Sequence, residues 1–425
     1  MDLLERRNLA LGPAYSLFYD VPVHIVRGRG VWLWDAQGRK YLDCYNNVAS
    51  VGHCHPYVVA ALIKQASTLN THTRYLHENV VELSEAIAAK MPGDLSVCMF
   101  VCTGTEANDL ATRIARTATG NLGMLVSEFS YHGNSTLVHT LSTSESVHRP
   151  DWLSVFEPPC QYRLPFERND LLDGYVEIVR GAIEALERKG QQPAAIMIDS
   201  IFDSPGTIEA PDGYFKQVYK TVREVGGLVI ADEVQAGYCR TGKWWGFTHE
   251  DVVPDIVTLG KPMGAGHPLA AVVTTPKIAE KFSTKSDYFN TFGGNPVSTA
   301  VGKAVIEVID NENILENVVK IGAYTRAGLE QLQEKYEVIG DVRGRGLFLS
   351  MDLVKDRSLK TPDPEAARFI TNMMKDEGVL LSKHGRYDNT LKIRPPMVFN
   401  QNNADILLAA LDVCFRKLEV LHQHN

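Results

Sequence analysis

Three short segments of this chain set reactive side chains at the carboxyl ends of predicted strands, where α/β sheets form ligand sites. The first, Thr103-Gly104-Thr105-Glu106-Ala107-Asn108, lies between a strand and a helix. Gly104 permits a tight turn, and the first amides of the following helix can bind an anion such as phosphate. The same residues fit a capping box, with Thr103 as N-cap and Glu106 three positions on, and the two uses are compatible. The second, Asp232-Glu233-Val234-Gln235, closes the apolar run Gly227–Ala231. A carboxylate at a buried strand end is costly unless a cation answers it, although taken alone it reads as a cap or a structural ion pair. The third, Thr258-Leu259-Gly260-Lys261-Pro262, holds a lysine between Gly and Pro in apolar surroundings. Desolvation lowers the pKa of such an amine and makes it a better nucleophile toward a carbonyl.

An anion cradle, a buried carboxylate and a desolvated lysine are together the set that pyridoxal phosphate requires. Its aldehyde needs the lysine, its phosphate the cradle, and its pyridinium nitrogen the acid. The spacing from Asp232 to Lys261 leaves room for one further strand between them. The conjunction is far more specific than any part. No Walker A sequence occurs, and no G-x-G-x-x-G follows a strand, so nucleotide binding is unsupported. His53-Cys54-His55 has metal-ligand residue types, but neighbours on an extended segment point to opposite faces and no second cluster completes a sphere. No metal is expected.

The elements that must position these groups follow from pattern. Strands are predicted over Cys98–Cys102, Met124–Ser127, Ala195–Asp199, Leu228–Ala231, Ile256–Leu259 and Leu269–Thr274. Helices are predicted between them, over Asn108–Ala118, Gly174–Lys189 and Tyr214–Val225. This alternation is that of an α/β sheet. The later chain joins helices (Val305–Glu334, Pro364–Glu377, Asn403–Leu421) to short strands (Leu347–Asp352, Val379–Leu381, Leu391–Ile393). One large α/β domain over residues 56–304 is expected, with a small α+β domain built from residues 1–55 and 305–425.

Composition narrows the class. The chain has 425 residues, 44% hydrophobic and 22% charged, with a formal net charge of −8 from 43 Lys+Arg and 51 Asp+Glu. That balance argues against a nucleic-acid or anionic-membrane surface, and no apolar run reaches the roughly 18 residues of a membrane span. The first residues, Met-Asp-Leu-Leu-Glu-Arg-Arg, lack the apolar stretch of a secretory signal. The seven cysteines are scattered without a Cys-x-x-Cys, as in a reducing compartment. A cytoplasmic enzyme is expected.

Over nearly its whole length the sequence resembles the class III pyridoxal-phosphate enzymes of the aspartate-aminotransferase (fold type I) superfamily. The likeness runs from Trp32-Leu-Trp-Asp-Ala-Gln-Gly38 and Tyr41-Leu-Asp43 through Gly52-His-Cys-His-Pro56 to Arg394-Pro-Pro396. The resemblance implies that fold, a large, mostly parallel-sheet cofactor domain with a small α+β domain. It also implies roles. Lys261 would bond to the cofactor and later carry a proton, and Asp232 would keep the pyridine nitrogen protonated. Val234 would pack under the ring and Gln235 would bond its phenolic oxygen. Gly104 and Thr105 would bind the phosphate by amide and hydroxyl. Tyr131, in Tyr131-His132-Gly133, would stack on the other ring face, with His132 also in the cofactor pocket. Thr291, in Phe289-Asn-Thr-Phe-Gly-Gly-Asn-Pro296, would reach the cofactor phosphate of a partner subunit, which implies a homodimer with active sites at the interface.

Within the family the chain is most similar to phospho-lyases of ethanolamine phosphate and phosphohydroxylysine. The segments are Asn46-Asn-Val-Ala-Ser-Val-Gly-His-Cys-His-Pro56, Leu95-Ser-Val-Cys98, Glu106-Ala-Asn-Asp109, Pro254-Asp-Ile-Val-Thr-Leu-Gly-Lys-Pro-Met-Gly-Ala-Gly-His-Pro268 and Leu391-Lys-Ile-Arg-Pro-Pro-Met397. Many class III transaminases clamp an α-carboxylate with an Arg three residues before the Pro-Pro pair, which a Glu past an earlier strand answers. Those positions hold Lys392 and, in Asp199-Ser-Ile-Phe-Asp-Ser-Pro-Gly206, Ser204. A lysine offers a point charge where Arg offers a planar fork. An amine substrate without an α-carboxylate would make the fork unnecessary. The resemblance therefore implies loss of phosphate from phosphoethanolamine, giving acetaldehyde and ammonia. Arg74, Lys392 and Arg394 are the candidate phosphate-binding cations, and Tyr19 and Asn47 the pocket polar groups. An ω-transaminase passing an amino group from an amine or β-amino acid to pyruvate or glyoxylate would use the same cofactor residues.

Overall fold

A computed structural model of the chain describes residues 1–163 and 170–423. Its centre is a seven-stranded sheet in the spatial order Val97–Val101, Ala270–Thr274, Ile256–Leu259, Leu228–Asp232, Pro193–Asp199, Gly123–Ser127, Leu153–Phe156. Six strands run parallel to one another, while Ala270–Thr274 is antiparallel to both its neighbours. The inner strands are apolar on both faces because both are covered. Ile196, Ile198, Val229, Ala231, Val257 and Leu259 join one core. Their alternates Ala195, Met197, Ile230 and Ile256 join a second core, with Ala107, Leu110, Ala111, Ile114 and Ala115 of the helix Gly104–Thr119.

Register sets the functional edge. Asp199 pairs with Asp232 and Asp232 with Thr258, so the ends of three adjacent strands lie level. Lys261 follows three residues beyond Thr258, at the start of a 3-10 turn, Lys261–Gly264.

Two smaller sheets use both ends of the chain. Ile25–Arg29, Trp32–Asp35 and Lys40–Asp43 form an antiparallel meander, and Val379–Leu380 pairs parallel with Leu42 and Asp43. The other sheet joins Ile339–Arg345, Phe348–Asp356, Thr390–Ile393 and Ser382–His384, with Thr361–Pro362 at its side. Just past the third of these strands, the Arg394 amide donates to the Cys44 carbonyl at 2.7 Å. That bond holds the strand end to the N-terminal sheet.

The predicted elements are present, with two differences of substance. The predicted helix over Val305–Glu334 is two helices, Pro296–Asn311 and Ile314–Lys335. Asn313, at φ +52°, breaks them, a left-handed conformation that Asn tolerates. The sheet also has an edge strand, Leu153–Phe156, whose four residues carry too short an apolar pattern to read.

Candidate active site

Asp232 ends its strand almost fully buried. Its Oδ2 lies 2.7 Å from His132 Nδ1 and accepts from Asn108 Nδ2 at 2.9 Å, and its Oδ1 accepts from the Val234 amide at 3.1 Å. Burial pushes the carboxyl up, but His132, the Val234 amide and the Lys261 charge outweigh it and hold the group below its ordinary value. The carboxylate is thereby kept ionised, as needed to stabilise a protonated ring nitrogen. Asn108, one turn into the helix Gly104–Thr119, also donates to the His132 carbonyl at 2.7 Å. Its place in the first motif was the sequence signal for it.

Lys261 comes to the same place. Its amine is pushed down first by burial and then by the charge of Arg394, while Asp232, Asp203 and Asp199 oppose. Among the described residues its Nζ has no hydrogen-bond partner. A desolvated, unbonded amine beside an ionised carboxylate is suited to attack a carbonyl.

The helix N-terminus forms the capping box read from its sequence and leaves room for the other use. Thr103 caps the Glu106 amide, and Glu106 accepts from the amides of Cys102 and Thr103. That leaves the first helical amides, those of Gly104 and Thr105, for an anion. Close packing ties this end to the other two motifs. A Cβ on Gly104 would lie 2.8 Å from Val234 Cγ1, and one on Gly260 would lie 3.1 Å from the same atom. Gly133 fits against Thr105, whose hydroxyl bonds Asn134. Tyr131, beside buried His132, is partly exposed.

A second cluster, with more cations than ionised acids, borders the first. Lys392 Nζ donates to Asp203 Oδ2 at 2.6 Å, and the same oxygen accepts from Gln235 Nε2. Arg394 Nη1 donates to Gln235 Oε1 and lies 3.9 Å from Asp203, while its buried Nε has no partner among the described residues. Asn47 Nδ2 reaches the same Gln235 oxygen at 3.5 Å. Behind them, buried Arg240 donates, among the described residues, only to the carbonyls of Leu347 and Pro395, and burial pushes it down to about 9. Tyr19 stands nearby, donating to the Leu381 carbonyl at 2.9 Å. Sequence reasoning set Ser204 opposite Lys392, but the acid is the preceding residue, Asp203. It lay within the quoted segment, and only a loop conformation decides which of the two side chains turns inward.

Two expected residues are not brought to Lys261 within one chain. Arg74 is exposed and lies over the Phe289 ring at 4.0 Å, and Thr291 is exposed two residues further on. Leu76, Tyr75 and Phe292 are exposed in the same region. His53 and His55 face Asp43 and Glu312, at 2.6 and 3.0 Å.

The profile of the class-III aminotransferases matches residues 17–415. The chain belongs to that family. Its cofactor is pyridoxal 5'-phosphate, and the free helix amides, the ionised Asp232 and the unbonded Lys261 amine suit that group. A solved phospholyase from Arthrobacter, in complex with phosphoethanolamine, is 43% identical, with a TM-score of 0.94 over 98% of this chain and 99% of its own. An alanine–glyoxylate aminotransferase 2-like protein of Drosophila melanogaster is 42% identical, covering 97% of this chain and 86% of its own. An ethanolamine-phosphate phospho-lyase homologue of Caenorhabditis elegans is 38% identical, over 97% of this class III chain and 92% of its own.

Proposed function

We propose that this class III enzyme is a phospho-lyase that eliminates phosphate from O-phosphoethanolamine. One observation carries the reading. Lys392 and Arg394 converge beside Lys261 with Asp203 as the carboxylate that faces them, and Arg240 adds charge from behind with carbonyls as its partners among the described residues. A buried surplus of cations favours an anionic substrate group. The Arthrobacter phospholyase, solved with phosphoethanolamine, supports the same choice.

Pyridoxal phosphate, when bound, supplies a carbonyl for the substrate amine and a ring that accepts the electron pair left on the adjacent carbon. The Gly104 and Thr105 amides would hold its phosphate, Val234 and Tyr131 would pack against its ring, and Gln235 would bond its phenolic oxygen. Asp232, oriented by His132 and Asn108, holds a proton on the ring nitrogen. Lys261 removes a proton from the carbon next to the substrate nitrogen. Lys392 and Arg394 hold the phosphate as it leaves the neighbouring carbon with the bonding electrons, and Tyr19 and Asn47 line the same pocket. Addition of one water gives acetaldehyde, ammonia and inorganic phosphate, which balances the substrate. Thr291 and Arg74 act across the interface of a homodimer, in a cytoplasmic enzyme whose cofactor domain spans residues 56–304.

A transaminase is the second reading. The ion pair between Lys392 and Asp203 leaves less free charge for a phosphate, and the Drosophila relative carries an aminotransferase name. Release of phosphate and acetaldehyde from phosphoethanolamine with no keto acid decides between them. Equal release of both, abolished by Lys261→Ala, is expected. No release, with alanine formed from pyruvate and an amine donor, would make the chain a transaminase.

A further inference from the structure

We propose that Asp203 is a positioning residue that keeps Lys392 charged, so that the lysine can hold an anionic substrate group in a site that would otherwise strip it of its proton. The inference rests on the reading that Lys392 faces that group, and goes beyond it by assigning a function to the one carboxylate in the cluster.

The geometry is that of a single acid among bases. Lys392 lies on the strand Thr390–Ile393, 8% exposed, with Asp203 Oδ2 at 2.6 Å. Arg394 faces it from the end of the same strand, and Lys261 from the turn beyond Ile256–Leu259. From the paired strand Ser382–His384 comes His384, whose Nδ1 is 3.4 Å from Asp203 Oδ1. Arg343 stands behind that histidine, and burial holds His384 well below its ordinary range, hence neutral. Asp199 lies behind Asp203 and accepts its amide at 2.8 Å. Burial pushes Asp199 up to about 7, so it is only about half ionised at neutral pH. Asp203 is thus the ionised carboxylate that touches the lysine.

The balance on Lys392 follows. Burial first, then Arg394 and Lys261, push its amine down to about 7, while Asp203 pulls it up. With Asp203 in place the lysine is about half protonated at neutral pH, and without it the amine would give up its proton at a lower pH. An acid in an anion site is commonly a repulsive element, but this one acts the other way because an uncharged lysine attracts no anion. Two effects of opposite sign are therefore expected when the charge is removed. Where Lys392 is protonated regardless, the site gains one net positive charge and binds anions at least as well. Where it is not, binding is lost.

The test is the dissociation constant of inorganic phosphate and, separately, of acetate, measured by calorimetry on the holoenzyme and on Asp203→Asn. Asn keeps an oxygen for Gln235 while removing the charge. The ratio of the two proteins' constants cancels phosphate's own titration. At about pH 5.5 the variant is expected to bind phosphate as tightly as wild type or more so, and at about pH 8 about tenfold more weakly, the effect of roughly one pKa unit. Asp203→Glu should restore the wild-type profile. Equal weakening at every pH would mean that Asp203 only holds the loop, and tighter binding at every pH would mean that it merely competes with the anion. Either overturns the proposal, as does failure of both anions to bind wild type. Binding of acetate but not phosphate would sink the phospho-lyase reading instead, and the acetate profile would then decide the function of Asp203.

Discussion

Replacing Gly104 by alanine tests the contact that joins the anion cradle to the ring floor. The added Cβ would lie 2.8 Å from Val234 Cγ1 and 3.1 Å from Cγ2. That is roughly 0.7 Å inside the ordinary separation of about 3.5 Å between carbon atoms. Val234 cannot rotate away cheaply, because it is β-branched and stiff at χ1 and also abuts Gly260. The overlap must be relieved by moving the helix N-terminus or the Val234 backbone, and overpacking of this kind costs about 1–3 kcal/mol. Spent on the bound state, that corresponds to roughly 5- to 150-fold weaker cofactor binding. Equilibrium dialysis of pyridoxal phosphate against the apoenzyme reads it directly. Adding Val234→Ala removes both methyls and should recover part of the loss. An affinity within about twofold of wild type for Gly104→Ala, or no recovery in the double variant, would refute the packing argument.

Three further outcomes are expected. Asp199 and Glu233 are both pushed up to about 7, chiefly by burial. The folded state therefore holds protons that the unfolded chain releases near pH 4. Their contribution is fully present below that pH and lost as pH rises through about 7. Denaturant midpoints should fall between pH 5 and 8, less so in Asp199→Asn, and an unchanged slope would contradict the assignment. Gly322→Ala would set a Cβ 2.4 Å from the Gly346 carbonyl oxygen, where the helix Ile314–Lys335 meets a turn. It should cost about 3 kcal/mol in chemical denaturation, and an unaltered midpoint would argue against that close approach. Finally, Lys261→Ala and Thr291→Ala chains, each inactive alone, should on mixing and reassembly recover about a quarter of wild-type activity through the one intact site of each heterodimer. No recovery would place Thr291 outside the partner's site.

The parts of the site that sequence exposed are those fixed by local geometry. Asp232 was legible only in conjunction with the anion cradle and Lys261, since an apolar strand that ends on a carboxylate reads by itself as a cap or an ion pair, and Lys261 because Gly260 and Pro262 restrict it. Thr103 and Glu106 specify their capping box within four residues. Asp203 was not legible, since the turn that follows Asp199 alone decides whether it or Ser204 points inward. Arg240, between Cys239 and Thr241, carried no sequence signal, and its burial follows from the distant carbonyls of Leu347 and Pro395. The break at Asn313 was hidden because apolar spacing continues on both sides of it.

The order of strands has a consequence for how the chain matures as it leaves the ribosome. Lys40–Asp43 gains its second neighbour only when Val379–Leu380 is made, and Val97–Val101 its neighbour only when Ala270–Thr274 is. At a synthesis speed of about 5–20 residues per second, the early N-terminal hairpin waits roughly 20–70 s with one edge open. During that interval its backbone donors and acceptors are a template for pairing with another nascent chain. The Arg394 amide can reach the Cys44 carbonyl only once residue 394 has been made, so the cation cluster is assembled well after the segments that carry Gly104, Asp232 and Lys261. Termination after Thr274 but before Val379 yields a chain that has the strands of the central sheet and lacks Lys392 and Arg394, and that leaves the edge of Lys40–Asp43 free for chaperones or proteases to recognise.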